Sequence, residues 1–181
     1  MNQNRLGRSH RMSRIALLLA GVAMVAGVVV LPTGRADEQP GPAYVTSIPP
    51  GYRDWKLISV AHEEGNLHSI GAVLGNDVAI KAYREGKFPY PDGAIIAALH
   101  YRHAASEENN KVFGQSQSFV AGEPTNVQFM VKDSKKYAAT GGWGFGHFQD
   151  GKPAGAAFMK PCYPCHNQIK ARDLIFTRYA P

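Results

Sequence analysis

The chain has 181 residues and a formal net charge of +6, and both of its cysteines lie in one five-residue motif near the C-terminus. Its length, less a basic leading segment, is that of a single domain. Arg5, Arg8, Arg11 and Arg14 crowd that segment, so the surplus charge belongs to it and gives no support to a nucleic-acid-binding reading.

After the arginines comes an apolar run from Ile15 to Leu31, then Pro32, Thr33, Gly34, Arg35 and Ala36. Charged region, apolar region and small residues in that order predict a secretory signal over residues 1–36, cut after Ala36. An uncleaved anchor is the alternative. The run has 17 residues, at the lower edge of what spans a bilayer, and is rich in Ala and Gly, which favours cleavage. No adjacent arginine pair precedes it, so general secretion fits better than the twin-arginine route. Removing 36 of the 181 residues leaves 145, with 15 Lys+Arg against 14 Asp+Glu. The expected product is periplasmic or otherwise exported, with no membrane attachment after cleavage.

Residues 37–51 hold Pro40, Pro42, Pro49 and Pro50 and read as an extended tether. The domain proper is expected over residues 52–181. Trp55 to His62 has strand content, and His68 to Leu74 is a second apolar stretch. Asn76 is placed to cap a helix running to about Glu85, with Gly86 ending it. Phe88 to Gly93 reads as a rigid loop and Ala94 to Arg102 as a buried strand. Asn109 and Asn110 mark a loop. Lys111 to Ala121 reads as a weaker strand, turned by Gly122 to Pro124 into the alternating strand Asn126 to Lys132. A short helix opened by Asp133 follows.

The stretch from Gly141 to Phe148 alternates glycine with Trp143, Phe145 and His147. Its glycine face calls for a closely approaching surface, either a flat cofactor or a packed helix, or else reflects a twisted or bulged core strand. Gln149 to Pro153 reads as a hairpin turn, and Asp173 to Tyr179 as a closing strand. The sum is a mainly β (α+β) domain: an antiparallel sheet with two or three short helices.

Near the end stands Cys162-Tyr163-Pro164-Cys165-His166. This C-x-x-C-H spacing lets two thiols bond the vinyl groups of one haem while the next residue offers an imidazole to iron. A thioredoxin-like pair would need a strand-helix-strand unit, and too little chain follows. A zinc site would need two further ligands at a recognisable spacing. A plain disulfide leaves His166 unexplained. The expected cofactor is one covalently attached haem c, held by Cys162 and Cys165, with His166 as axial iron ligand. Common small electron-carrier cytochromes are helical with this motif near the N-terminus; here it closes a β-rich domain.

The order of several pieces resembles the cytochrome P-460 family, including the β-sheet relatives of cytochrome c′. The matching residues are Tyr52-Arg53-x-Trp55, Asp92-Gly93, Val131-Lys132-Asp133-Ser134, Gly142-Trp143-Gly144-Phe145, the haem motif and Asp173-Leu174-Ile175-Phe176-Thr177-Arg178-Tyr179. The resemblance implies an antiparallel β fold, a homodimer and a five-coordinate c-type haem. It further implies either hydroxylamine oxidation or binding of small gases such as nitric oxide. Hydroxylamine-oxidising members carry a lysine cross-linked to the haem, six residues beyond the Asp of the Asp-Gly turn. That count reaches Ala98 here, and no lysine lies between Ala94 and Tyr101.

The expectation is therefore an exported c-type haem protein binding nitric oxide or a related small nitrogen species at an open iron. Any turnover would make it a haem-dependent oxidoreductase acting on hydroxylamine or nitric oxide, and a redox partner protein is a possible associate. The alternatives are a six-coordinate electron carrier or a hydroxylamine-oxidising enzyme. Met130, Met159, His68, His100, His103 and His147 are the candidates for a sixth ligand. Gln128 stands near a position where active relatives place an acid, and Gln cannot serve as a proton-transfer base. Phe88, Phe129, Phe145 and Phe148 are candidates for an apolar cap over the iron, with core packing as the ordinary role of each.

Overall fold

The computed structural model describes residues 44–180. The expected signal and residues 37–43 of the tether lie outside the described residues. No helix among the described residues is long and apolar enough to cross a membrane.

Six strands form one antiparallel sheet in sequence order: β1 (Lys56–Glu63), β2 (Ser69–Gly75), β3 (Ile95–Ala105), β4 (Phe119–Lys132), β5 (Trp143–Gln149) and β6 (Lys152–Pro153). Because every neighbour in the sheet is a neighbour in sequence, short connections suffice. The helices are α1 (Asp77–Glu85), α2 (Glu107–Phe113) and two single turns, α3 (Ala156–Met159) and α4 (Cys162–His166). The mainly β expectation holds.

Helix α1 starts and ends where its sequence directs. Asn76 accepts from the Ala79 N–H at 2.9 Å, and Gly86 adopts φ 61° to close the C-terminus. The same Asn76 side chain donates to the Gly93 carbonyl at 2.8 Å, tying the helix to the start of β3. Ala79, Ile80, Ala82 and Tyr83 are buried on one side of the helix, packed with Ile58, Val73, Ile96, Trp143 and Phe145.

Four expectations need correction. Residues Lys111 to Phe113 are not strand, and Asn109 and Asn110 are not loop. They lie in α2, which Ser106 caps while Glu107 and Glu108 favour its N-terminal dipole. Gly122 and Pro124 do not turn the chain. They sit inside the 14-residue β4, where the register with β3 shifts on either side of Tyr101. These are bulges, which accept a proline that cannot donate and a glycine with no side chain. Asp133 does cap a turn, accepting from the Lys135 and Lys136 N–H groups, but that turn tightens into a 3-10 segment at Ala138–Thr140 and ends at Gly141. Lastly, Asp173 to Tyr179 is not a strand. Asp173 and Leu174 take left-handed conformations (φ 50° and 66°), and the segment returns to the sheet only where the Ala180 N–H donates to the Ile58 carbonyl.

The glycine face of β5 does meet a close surface, though neither a cofactor nor a helix. A Cβ on Gly144 would run into the Tyr137 ring, and one on Gly146 would come within 2.9 Å of the Val45 Cβ. Tyr44 bridges to Phe145 and the Val45 N–H donates to its carbonyl, so the chain before β1 lies along β5. Gly141 and Gly142, both with positive φ, precede the strand and form its entry turn.

Candidate haem site

Alternation divides the sheet into two faces. Cross-strand partners Gly75, Ile96, Met130 and Phe145 form one row on the first face, and Val73, Ala98, Gln128 and His147 form the next. Gly71, His100 and Asn126 continue that face outward. The C-terminal segment stands across from these rows. Between them runs a slot lined by Val73, Ile96, Ala98, Gln128, Met130, Phe145 and His147 from the sheet, with Phe129 and Gly146 also bordering it, and by Cys162, His166, Ile175, Phe176 and Thr177 from the C-terminal segment. Its inner part encloses about 100 Å³ and is mostly apolar. The outer part encloses about 540 Å³, within the range of cofactor sites. There the walls turn polar, with Glu63, Ser69, His100, Arg102, Thr125 and Asn126.

Cys162, Cys165 and His166 share the single turn α4. Cys162 is half-buried at the slot, Cys165 is exposed, and the two thiols are not joined to each other. Burial pushes the Cys162 thiol up from its ordinary range. The His166 ring lies 5.0 Å from Phe145 on one side and 5.0 Å from Phe176 on the other. Its Nδ1 is 2.6 Å from the Leu174 carbonyl oxygen. A carbonyl only accepts, so Nδ1 carries the hydrogen and donates, leaving the lone pair on Nε2. Burial lowers the pKa of His166, against the pull of that carbonyl, so the ring is held neutral. A neutral imidazole with a bonded Nδ1–H is the form that ligates a metal.

The family model for Cytochrome P460 matches residues 49–177. The chain belongs to the cytochrome P460 family. It is accordingly a c-type haem protein. No curated protein matches the chain.

The residues of this cytochrome P460 member fit that cofactor. A haem is an apolar disc with charged propionates at one edge, and the slot is apolar within and polar at its mouth. Cys162 and Cys165 would take the vinyl groups, and His166 would present Nε2 to iron. Among the described residues, no group of three or more His, Cys, Asp or Glu side chains is arranged to hold a metal by itself.

The structure sorts the six candidate sixth ligands. Met130, His100 and His147 line the slot. Met159 is buried at 3% exposure in α3 and does not line it. His68 and His103 cluster with His62 at the outer tip of the sheet, where the His103 ring lies 4.2 Å from His62 and 5.0 Å from His68. Burial lowers the pKa of both His100 and His147, and each slot histidine is held toward its neutral form. Gln128 faces the slot, and its Nε2 donates to Asn126 Oδ1 at 3.1 Å.

Of the four phenylalanines, Phe145 alone stands on the slot face beside His166. Phe129 and Phe148 pack edge-to-face on the opposite face, and Phe88 is about half exposed in its loop. Phe176 was missed as a pocket aromatic. Its position ten residues after His166 carried no periodic signal, because the backbone between them is irregular. Lys132 and Asp173 were noted only as matching residues. They form a buried ion pair at 2.8 Å behind the slot.

Proposed function

We propose that this protein carries one haem c, with His166 as its axial ligand, and binds nitric oxide or a related small nitrogen species on the opposite side of the iron. Attachment at Cys162 and Cys165 balances without an oxidant: each sulfur bonds one vinyl carbon and its hydrogen goes to the other. Bound haem supplies an iron centre able to take up a small diatomic ligand and to change oxidation state.

One observation carries the reading. Ala98 lies on the slot wall, and no lysine lines the slot among the described residues. A methyl group at this place leaves room and offers no amine for a second cross-link. The neighbours Val73, Ile96, Met130 and Phe145 favour an uncharged ligand over a charged one. His166, clamped through Nδ1, keeps its orientation whether or not a ligand binds opposite. His100 and His147, held toward neutrality, are the chain's own groups for taking or giving a proton near such a ligand.

The leader pattern at residues 1–36 supports an exported protein, periplasmic in a two-membrane cell. A homodimer and a redox partner protein belong to the same proposal.

Absorption spectra of the ferrous protein test it. A five-coordinate high-spin spectrum that changes on adding nitric oxide is expected. Sharp low-spin bands indifferent to nitric oxide would instead place Met130, His100 or His147 on the iron and make the protein an electron carrier. A strongly red-shifted Soret band would point to a cross-linked, hydroxylamine-oxidising centre.

A further inference from the structure

Behind His166 the chain does something costly. Asp173 and Leu174 are consecutive non-glycine residues with left-handed backbones, at φ 50° and 66°. Left-handed conformations are unfavourable for L-residues, less so for Asp than for a bulky residue such as Leu. Strain of this kind persists only where the surroundings enforce it. Here the enforcement is visible. The Asp173 carboxylate accepts from Lys132 Nζ at 2.8 and 3.0 Å and from the Tyr90 N–H at 2.7 Å. Lys132 Nζ also donates to the Gly141 carbonyl at 3.2 Å and lies 4.9 Å over the Trp143 ring. Lys132 is 6% exposed and Trp143 fully buried. The ion pair therefore joins the end of β4, the entry to β5 and the loop before β3 to one residue of the C-terminal segment.

The residue after Asp173 is Leu174, whose carbonyl accepts from His166 Nδ1 at 2.6 Å. Its side chain is buried at 4% exposure in the core beneath α1. The Leu174 peptide is thus fixed from both sides, by the pinned Asp173 and by its own buried side chain, with its oxygen aimed at the imidazole. A strong bond at Nδ1 raises the basicity of Nε2. A buried ion pair contributes little net stability against an apolar replacement, so stability alone does not account for it.

We propose that Asp173, clamped by Lys132, is a positioning residue for the axial histidine. It holds the Leu174 carbonyl on His166 Nδ1 and so sets the donor strength of the imidazole and the reduction potential of the iron. The proposal rests on His166 being the axial ligand.

The haem-loaded protein tests it with two variants, Asp173→Asn and Lys132→Met. Each breaks the ion pair but leaves opposite charge behind. Loss of positioning weakens the bond to Nδ1 in both, so both should lower the iron–histidine stretching frequency in the resonance Raman spectrum of the ferrous protein. Both should also raise the midpoint potential. A purely electrostatic role would move the two potentials in opposite directions with the stretch unchanged, and that result would overturn the proposal. A merely structural role would lower the melting temperature and leave stretch and potential where they were, with the same consequence. The double variant Lys132→Met with Asp173→Leu keeps the volume apolar and serves if a single variant does not fold. It should show the same lowered stretch.

The wild-type protein offers a check that needs no variant. The His166 Nδ1 proton should exchange slowly with solvent in NMR of the haem-loaded protein, and fast exchange would count against the clamp. Absence of any iron–histidine stretch in the wild type, with the spectrum unaltered in His166→Ala, would sink the axial assignment instead. The two failures are therefore distinguishable.

Discussion

On β3, Ala97 and Leu99 point to one face of the sheet while Ile96, Ala98 and His100 point to the other. The first face is closed. Phe129, Phe148, Tyr137 and Val45 are buried there, with Tyr52 and Trp55 packed against them. The second face is left open between its central rows and the C-terminal segment, and there the chain places His166 and Cys162. Neighbouring residues on the same strands thus do different work. The closed face supplies rigidity through ring-on-ring packing, and the open face gives up some packing to keep a slot of cofactor size. Adding or removing carbon should therefore act on stability on the closed side and on ligand binding on the open side.

Phe129→Ala should have the largest effect. Phe129 is 2% exposed, with ring centroids 5.2 Å from Tyr52 and 5.7 Å from Phe148. Deleting a buried ring of this kind costs about 3–5 kcal/mol. Denaturant unfolding should show that loss while the ferrous spectrum and the response to nitric oxide stay unchanged. A shifted spectrum at full occupancy would mean that the two faces are not independent.

Gly144→Val comes next. The new side chain must displace the Tyr137 ring, and overpacking of this kind costs roughly 1–3 kcal/mol. On the open face, a comparable insertion at Ala98 should behave differently. Ala98→Leu extends into the slot rather than into packed atoms, so the unfolding midpoint should move little. Nitric oxide affinity should fall by about tenfold, which is 1.4 kcal/mol. Titration of the ferrous variant with nitric oxide measures it. An unfolding midpoint as badly affected as in Gly144→Val would show that the slot is core after all.

How much of this could be read from the sequence depends on how local each cause is. Asn76 and Gly86 bound α1 with contacts a few residues away, and both signals were legible. The C-x-x-C-H motif is equally local, whereas Ala98 was marked only by the family resemblance, which counts six residues on from Asp92. The misreadings came where distant partners decide. Gly122 and Pro124 are turn residues by type, but continuous pairing with β3 makes them bulges. Asp173 to Tyr179 is strand-like in composition, yet the Asp173 carboxylate is claimed by a lysine 41 residues earlier in the chain, and the backbone bends to meet it. The glycines at 144 and 146 left close approach and a twisted or bulged strand both open; the approaching groups are Tyr137 and Val45 rather than a cofactor or a helix, and neither had a mark of its own.

The smallest expected effect concerns acid sensitivity, and it again separates the two faces. The open face carries His100 and His147, and no histidine stands among the packed residues of the closed face. Burial lowers the pKa of both histidines from 6.5. At His147 the neighbouring His100 adds to the lowering, and at His100 the Glu63 carboxylate opposes it. Well above pH 6.5 neither the folded nor the unfolded chain holds the extra proton, so the two sites contribute no pH dependence there. As pH falls below 6.5, the unfolded chain takes up protons that the folded chain resists. Stability should then decline until pH passes below the folded values. Unfolding midpoints measured from pH 7.5 downward should show this decline, and His100→Gln and His147→Gln should each flatten it. His103→Gln, at the outer tip of the sheet, should leave the slope nearly as it was, because solvent screens that site. A decline that persists unchanged in the His100→Gln, His147→Gln double variant would remove these two histidines as its source and leave His166, whose pKa burial also lowers, as the next group to test.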